Sequence, residues 1–128
     1  MKRKTFLTLV SLVELAIGAA ALLSPGTALE IKGVAASEAA NVWVREVGVL
    51  LVAMGAVTFL VRGHEASPTL KAFFVGNIIV QLGLFPIEPI AYANGTIMRL
   101  SGIVPNTILH LLLAGGFALY LAKMKKHG

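Results

Sequence analysis

Four long apolar runs, each long enough to cross a membrane, constrain this chain more than any other feature of its sequence. The hydrocarbon core of a bilayer is about 30 Å thick, and an α-helix rising about 1.5 Å per residue crosses it in roughly 20 residues. The runs therefore predict an all-α membrane protein with four transmembrane helices. We expect a single transmembrane domain over residues 1–128, with helices over residues 5–23, 39–62, 71–92 and 102–123.

The composition agrees, because only 13% of the residues are charged and 57% are apolar. A soluble domain has about a quarter of its residues charged, so this chain lacks the charge to cover a water-facing surface. Cysteine is absent, which excludes disulfides, cysteine-ligated zinc and iron–sulfur clusters.

The basic residues are unevenly distributed among the loops. If both termini are cytoplasmic, eight basic residues lie on the inner side and three on the outer side, which satisfies the positive-inside rule. We therefore expect an antiparallel bundle in a bacterial inner membrane, with basic clusters that touch anionic lipid headgroups rather than nucleic acid. The inner residues are Lys2, Arg3, Lys4, Arg62, Lys71, Lys123, Lys125 and Lys126, and the outer ones are Lys32, Arg45 and Arg99.

Two connecting regions carry local signals. The segment over residues 25–41 mixes apolar and charged residues, so it is either a short amphipathic cap on the outer surface or a solvated connector. Ser37 is a suitable N-cap for the second helix. Pro86 and Pro89 are expected to bend or loosen the outer end of the third helix.

Each predicted helix has one face of small and polar residues. Polar side chains are costly in hydrocarbon, so these faces should point into the bundle, where small residues also allow close helix contacts. The faces are Ser11, Glu14, Gly18 and Ala21; Asn41, Arg45, Gly48, Gly55, Thr58 and Arg62; Phe74, Asn77, Gln81 and Glu88; and Ile103, Thr107 or Asn106, His110, Ala114 and Phe117.

Three of these polar residues, Glu14, Gln81 and His110, lie near the middle of their predicted spans. Together with Asn77 they form a hypothetical ligand or proton site, in which Glu14 and His110 are an acid and a base at matched depth. The alternative is that these side chains only hold helices together by hydrogen bonds. Two metal-ligating side chains are too few for a metal site, so we expect neither a metal nor another cofactor.

A second pair lies near the outer face, where Arg45 and Glu88 are at similar depth. We expect them to form an ion pair that closes the outer end of the bundle.

No phosphate-binding loop, His-Glu-x-x-His motif or nucleophile elbow is present. We therefore assign no catalytic residues, and the sequence favours a non-catalytic protein. An enzyme would have to use Glu14 and His110 on a lipid-soluble substrate.

Residues 15–25, Leu-Ala-Ile-Gly-Ala-Ala-Ala-Leu-Leu-Ser-Pro, resemble the first helix of DoxX-like small membrane proteins. Residues 45–55, Arg-Glu-Val-Gly-Val-Leu-Leu-Val-Ala-Met-Gly, resemble their second helix, and Leu109-His110-Leu111-Leu112 fits their last one. The resemblance implies four transmembrane helices. Some members resemble membrane subunits associated with thiosulfate–quinone oxidoreduction, and others are accessory or assembly factors. No catalytic residue is transferred.

Three functions follow as hypotheses. The first is an accessory or interaction subunit, linked to a membrane redox system that uses quinone, whose partner is another membrane protein or a second copy of the chain. The second is a small proton-coupled transporter centred on Glu14. The third is an enzyme or binding protein for a hydrophobic small molecule such as a quinone or an isoprenoid.

Overall fold

The computed structural model describes residues 1–125, except for the side chain of Lys125. Lys126, which contributes to the predicted inner charge, and His127 lie outside the described residues. All regular secondary structure in the described residues is helical, and these residues contain no strand. Its helices are α1 (Arg3–Leu23), α2 (Pro25–Ile31), α3 (Glu38–Val61), α4 (Pro68–Leu84), α5 (Ile87–Ala93) and α6 (Leu100–Lys125).

Within the described residues, four helical segments are long and apolar enough to cross a membrane: Arg3–Leu23, Glu38–Val61, Pro68–Ala93 and Leu100–Met124. The prediction of an all-helical protein with four candidate membrane spans is thereby confirmed. The bounds of these segments lie within three residues of those predicted. Four such segments are typical of a multi-pass membrane protein.

The third span is interrupted rather than only bent. Helix α4 ends at Leu84 and α5 begins at Ile87, with Pro86 immediately before it. Proline has no N–H to donate and its ring clashes with the preceding turn of a helix, so it separates the two segments. In the connection between the first two spans, residues 25–31 are helical. Ser37 then caps α3, as predicted, by accepting a hydrogen bond from the N–H of Ala40 at 3.1 Å.

The chain divides into two compact units, the first of which covers Met1–Gly63. Ser11 of α1 pairs with Gly55 of α3, and Gly18 of α1 pairs with Gly48 of α3. Because seven residues forward on α1 correspond to seven residues backward on α3, the two helices are antiparallel. A Cβ atom built on Gly18 would lie 2.8 Å from the backbone nitrogen of Val52, so the helices touch through their backbones.

The second unit begins at His64. Helices α4 and α6 are also antiparallel, since Phe74 pairs with Phe117 and Gln81 pairs with His110. The rings of Phe74 and Phe117 are both buried and meet edge to face, with centroids 5.3 Å apart. Phe73 lies against both rings at 6.0 and 6.3 Å. Side chains rather than backbones therefore fill this helix contact.

The two units repeat the same architecture. Each has a long helix, a seven-residue helix and a second long helix. Each buried residue of α4 lies 63 residues after a buried residue of α1. Their partners on α6 lie 62 residues after the corresponding residues of α3, so the two helix pairs have the same register. The equivalent positions are Leu7 and Leu70, Ser11 and Phe74, Glu14 and Asn77, Gly18 and Gln81, Gly48 and His110, Gly55 and Phe117, and Thr58 and Tyr120.

The short helices also end in the same way, 62 residues apart. Gly33 follows α2 and Gly95 follows α5, and their φ angles are 71° and 75°. In both units the N–H of this glycine and the next N–H bond back to carbonyls of the helix: Gly33 to Glu30 at 2.9 Å, Val34 to Leu29 at 3.0 Å, Gly95 to Tyr92 at 3.0 Å and Thr96 to Ala91 at 2.9 Å. Positive φ favours glycine, so the same turn is built twice.

Candidate functional site

The first group of polar side chains lies between α1 and α3. Glu14 is only 3% exposed, and Thr58 is fully buried beside it. The Oγ1 atom of Thr58 lies 2.9 Å from Oε2 of Glu14 and 2.8 Å from the carbonyl oxygen of Met54. A carboxyl group in the middle of α1 is therefore joined to α3 through one hydroxyl group.

Ser11 lies one turn before Glu14 on the same face of α1. Its hydroxyl donates to the carbonyl oxygen of Gly55 at 2.7 Å, and the side chain is fully buried. This hydrogen bond links the two helices directly, because the missing side chain of Gly55 lets Ser11 reach the backbone of α3. It also uses the only proton that the Ser11 hydroxyl could donate.

The second carboxyl oxygen of Glu14, Oε1, is buried and has no hydrogen-bond partner in the described part of the chain. Buried polar atoms in proteins are nearly always hydrogen-bonded. One oxygen of the Glu14 carboxyl group thus contacts Thr58, and no described residue bonds to the other.

The second group lies between α4 and α6. The Nδ1 atom of His110 lies 2.6 Å from Oε1 of Gln81. Gln81 is buried and His110 is half-buried. Two of the four residues predicted as a ligand or proton site are thus in direct contact.

Asn77 lies one turn from Gln81 on α4 and is 4% exposed. Its amide nitrogen donates to the carbonyl oxygen of Phe73 at 3.0 Å, and its buried Oδ1 has no hydrogen-bond partner among the described residues. Thr107 lies one turn before His110 on α6, and its buried Oγ1 likewise has no partner in the part of the chain that the structure describes. The two unpartnered oxygens flank the Gln81–His110 pair along the contact between α4 and α6.

The two predicted pairings of charged or basic groups each join residues from different units. Glu14 is in the first unit and His110 in the second, and the same holds for Arg45 and Glu88. Both pairings stay predictions. Arg45 is exposed on α3, and Glu88 is half-buried in the first turn of α5.

The predicted polar faces agree with burial on α1 and only in part on α3, where Arg45 is exposed and Asn41 and Arg62 are half-buried. All four residues predicted for α1 are buried, as are Gly48, Gly55 and Thr58 on α3. Within the described residues, no group of three or more His, Cys, Asp or Glu side chains could hold a metal ion. Thr58 and Thr107 were on the predicted faces but were not assigned to a site. Their roles depend on the register between helices, which helical periodicity alone does not give.

The chain was compared with protein families, curated proteins and solved structures, and no family model, curated protein or solved structure matches it.

Proposed function

We propose that this protein is a small, non-catalytic accessory or interaction subunit of a bacterial inner membrane, associated with a membrane redox system that uses quinone. Both termini are cytoplasmic, and the four spans form an antiparallel bundle. The resemblance to DoxX-like proteins supports the redox association, and the excess of basic residues in the inner loops supports the orientation.

One observation carries the non-catalytic role: polar side chains in the spans are used to join helices. Ser11 bonds to the backbone of the facing helix, Thr58 contacts Glu14, and Gln81 bonds to His110. Hydrogen bonds of this kind hold membrane helices together. Each of the two helix contacts, α1 with α3 and α4 with α6, therefore contains polar side chains that hold it together, as expected of a scaffold protein.

The outward positions are suited to lipid or to another membrane protein. Leu50 of α3 is 64% exposed, Ile79 of α4 is 66% exposed and Leu112 of α6 is 67% exposed. Large apolar side chains at such exposure are stable only against lipid tails or a partner of similar character.

Photo-crosslinking in living cells tests the accessory role. A photoreactive amino acid is placed at Leu50, Ile79 or Leu112, with buried Phe74 as the matched control position. We expect at least one exposed position to give a protein adduct of discrete mass, either with another membrane protein or with a second copy, and Phe74 to give none. Adducts with lipid alone at all three positions would contradict the proposal.

A second candidate function, the binding of a hydrophobic small molecule, is favoured by the unpartnered oxygens of Asn77 and Thr107. Buried polar atoms without a partner can be satisfied by a bound molecule, and a few placed polar groups in apolar surroundings are typical of ligand sites. A molecule with a hydroxyl group on an apolar body would satisfy the Asn77 oxygen. Equilibrium binding of a quinol or an isoprenoid alcohol to the purified protein tests this function, which requires that Asn77→Leu weaken the binding.

A further inference from the structure

The hydroxyl of Thr58 has one proton but two oxygens within hydrogen-bond distance, Oε2 of Glu14 at 2.9 Å and the Met54 carbonyl oxygen at 2.8 Å. A hydroxyl has a single proton, so it can donate one full-strength hydrogen bond and not two. The carbonyl of Met54 cannot donate, so a second proton can come only from Glu14. Both short contacts are hydrogen bonds if the carboxyl group carries a proton on Oε2.

We infer that Glu14 is a proton-binding site, at which the carboxylic acid donates from Oε2 to Thr58 and Thr58 donates to the carbonyl of Met54. The inference goes beyond the accessory role and does not depend on it. It assigns the proton as the ligand of this position and gives the two short contacts of Thr58 a consistent direction.

In its own unit, Glu14 is surrounded by few groups that could donate a hydrogen bond to a carboxylate. The hydroxyl of Ser11 is committed to Gly55, and Oε1 of Glu14 has no partner in the described chain. A carboxylate would have Thr58 as its single donor at a depth where water is excluded, and an ionised carboxylate there is costly.

The charged residues of α3 do not compensate for this. The guanidinium of Arg62, one turn beyond Thr58, bonds to the carbonyl oxygen of Phe59 and lies over the Phe59 ring at 3.3 Å. Arg45 and Glu46 are exposed nearer the other end of the helix. Along the described contact between α1 and α3, Glu14 therefore has no basic partner.

The repeat provides independent support. The position equivalent to Glu14 in the second unit is Asn77, a neutral amide that is buried to the same degree and also has one unpartnered oxygen. A protonated glutamate is the neutral counterpart of such an amide. With a protonated Glu14, the same position holds an uncharged polar side chain in both units.

Loss of the proton would reverse one hydrogen bond. The Thr58 hydroxyl would turn from Met54 to Glu14 and donate to the carboxylate, leaving the Met54 carbonyl with only its helical partner. Proton binding at Glu14 is in this way coupled to the backbone of α3 through a single hydroxyl rotor.

Infrared spectroscopy of the full-length protein in lipid vesicles at neutral pH tests the inference. The difference between wild type and Glu14→Gln should show loss of a carboxylic-acid carbonyl band, and Thr58→Val should shift that band to higher frequency. Glu88→Gln is the matched control and should leave the band in place. Loss of carboxylate bands in Glu14→Gln, or a band unmoved by Thr58→Val, would overturn the assignment.

A second measurement uses the unmodified sequence and so does not depend on the folding of a variant. Dicyclohexylcarbodiimide adds the O–H of a carboxylic acid across its C=N bond, and the product rearranges in dry surroundings to a stable N-acylurea with no leaving group. We expect mass spectrometry to find one added reagent on Glu14. The exposed Glu30 and Glu65 should be unmodified, because water returns their adducts to the acid. An unmodified Glu14 would overturn the inference.

Discussion

Gly18 of α1 and Gly48 of α3 lie so close together that a Cβ atom built on either residue would be 2.9 Å from the carbonyl oxygen of the other. This contact is reciprocal, and the side chains of Val52 and Leu22 also lie 2.9 Å from the Cβ positions built on Gly18 and Gly48, respectively. The equivalent residues of the second unit are Gln81 and His110, which keep their helices apart and bond through their side chains. One helix-pairing register is thus built by backbone contact in the first unit and by side-chain contact in the second.

Gly18→Ala should destabilise the protein, because the new methyl group would have to displace backbone atoms of α3. Overpacking of this kind costs about 1–3 kcal/mol. Gly76→Ala is the matched control, since nothing lies within 4 Å of the position of its new Cβ. Unfolding of the protein in mixed micelles by increasing amounts of SDS measures both free energies. Equal effects of the two substitutions would contradict the close contact.

Gly95→Ala should destabilise the turn after α5 for a different reason. The new Cβ would have open space around it, but the φ angle of 75° is one that L side chains rarely adopt. The expected cost is about 1–2 kcal/mol, measured by the same unfolding titration. Gly95→Asn should cost clearly less, because asparagine tolerates this conformation. An equal loss with Asn and Ala would show that the backbone angle is not the cause.

Labelling of introduced cysteines should report the orientation of the chain. The protein has no cysteine, so Ala35→Cys and Ala66→Cys each introduce a single thiol, and both positions are exposed. With both termini cytoplasmic, a membrane-impermeant maleimide should label Ala35→Cys in intact spheroplasts and Ala66→Cys only after lysis. The reverse pattern would invert the proposed topology, and labelling of both in intact cells would exclude it.

Much of this fold could be predicted because burial in a helix follows its periodicity. The face of α1 with Ser11, Glu14 and Gly18 was predicted from spacing alone, and all three residues are buried. The cap at Ser37 was equally local. Signals of this kind need only one helix at a time, since the cost of exposing a polar side chain to hydrocarbon acts on each helix separately.

Features that need two helices were not predictable in the same way. The contact of Glu14 with Thr58 depends on the alignment of α1 along α3. The close approach of Gly18 and Gly48 determines that alignment. The repeat is not visible in the sequence for a related reason, because equivalent positions hold different residues, such as Gly48 in one unit and His110 in the other. Helix contacts can keep one geometry with side chains of different size and polarity.

The hydrogen bond between His110 and Gln81 should appear as a coupling energy in a double-mutant cycle with His110→Leu and Gln81→Leu. Interhelical hydrogen bonds in membrane proteins average about 0.6 kcal/mol and reach about 1.7 kcal/mol. We expect a coupling energy within that range for the contact of Nδ1 of His110 with Oε1 of Gln81. Ile79→Ala, at an exposed position on α4, should be additive with His110→Leu. Additivity in the Gln81 cycle as well would mean that the bond contributes nothing to stability.

Asn77→Leu separates a structural role from a ligand-binding role at the contact between α4 and α6. Leucine has a similar shape and removes a buried oxygen that has no partner, while the Phe73 carbonyl that loses the amide donor keeps its helical N–H. An unsatisfied buried polar group costs about 1–3 kcal/mol, so the free energy of unfolding should stay the same or rise.

If Asn77 instead holds a hydrophobic ligand through its oxygen, the purified variant should bind a quinol or an isoprenoid alcohol more weakly while remaining as stable as wild type. A marked loss of stability without ligand would show that Asn77 is a structural residue whose oxygen is satisfied by other means.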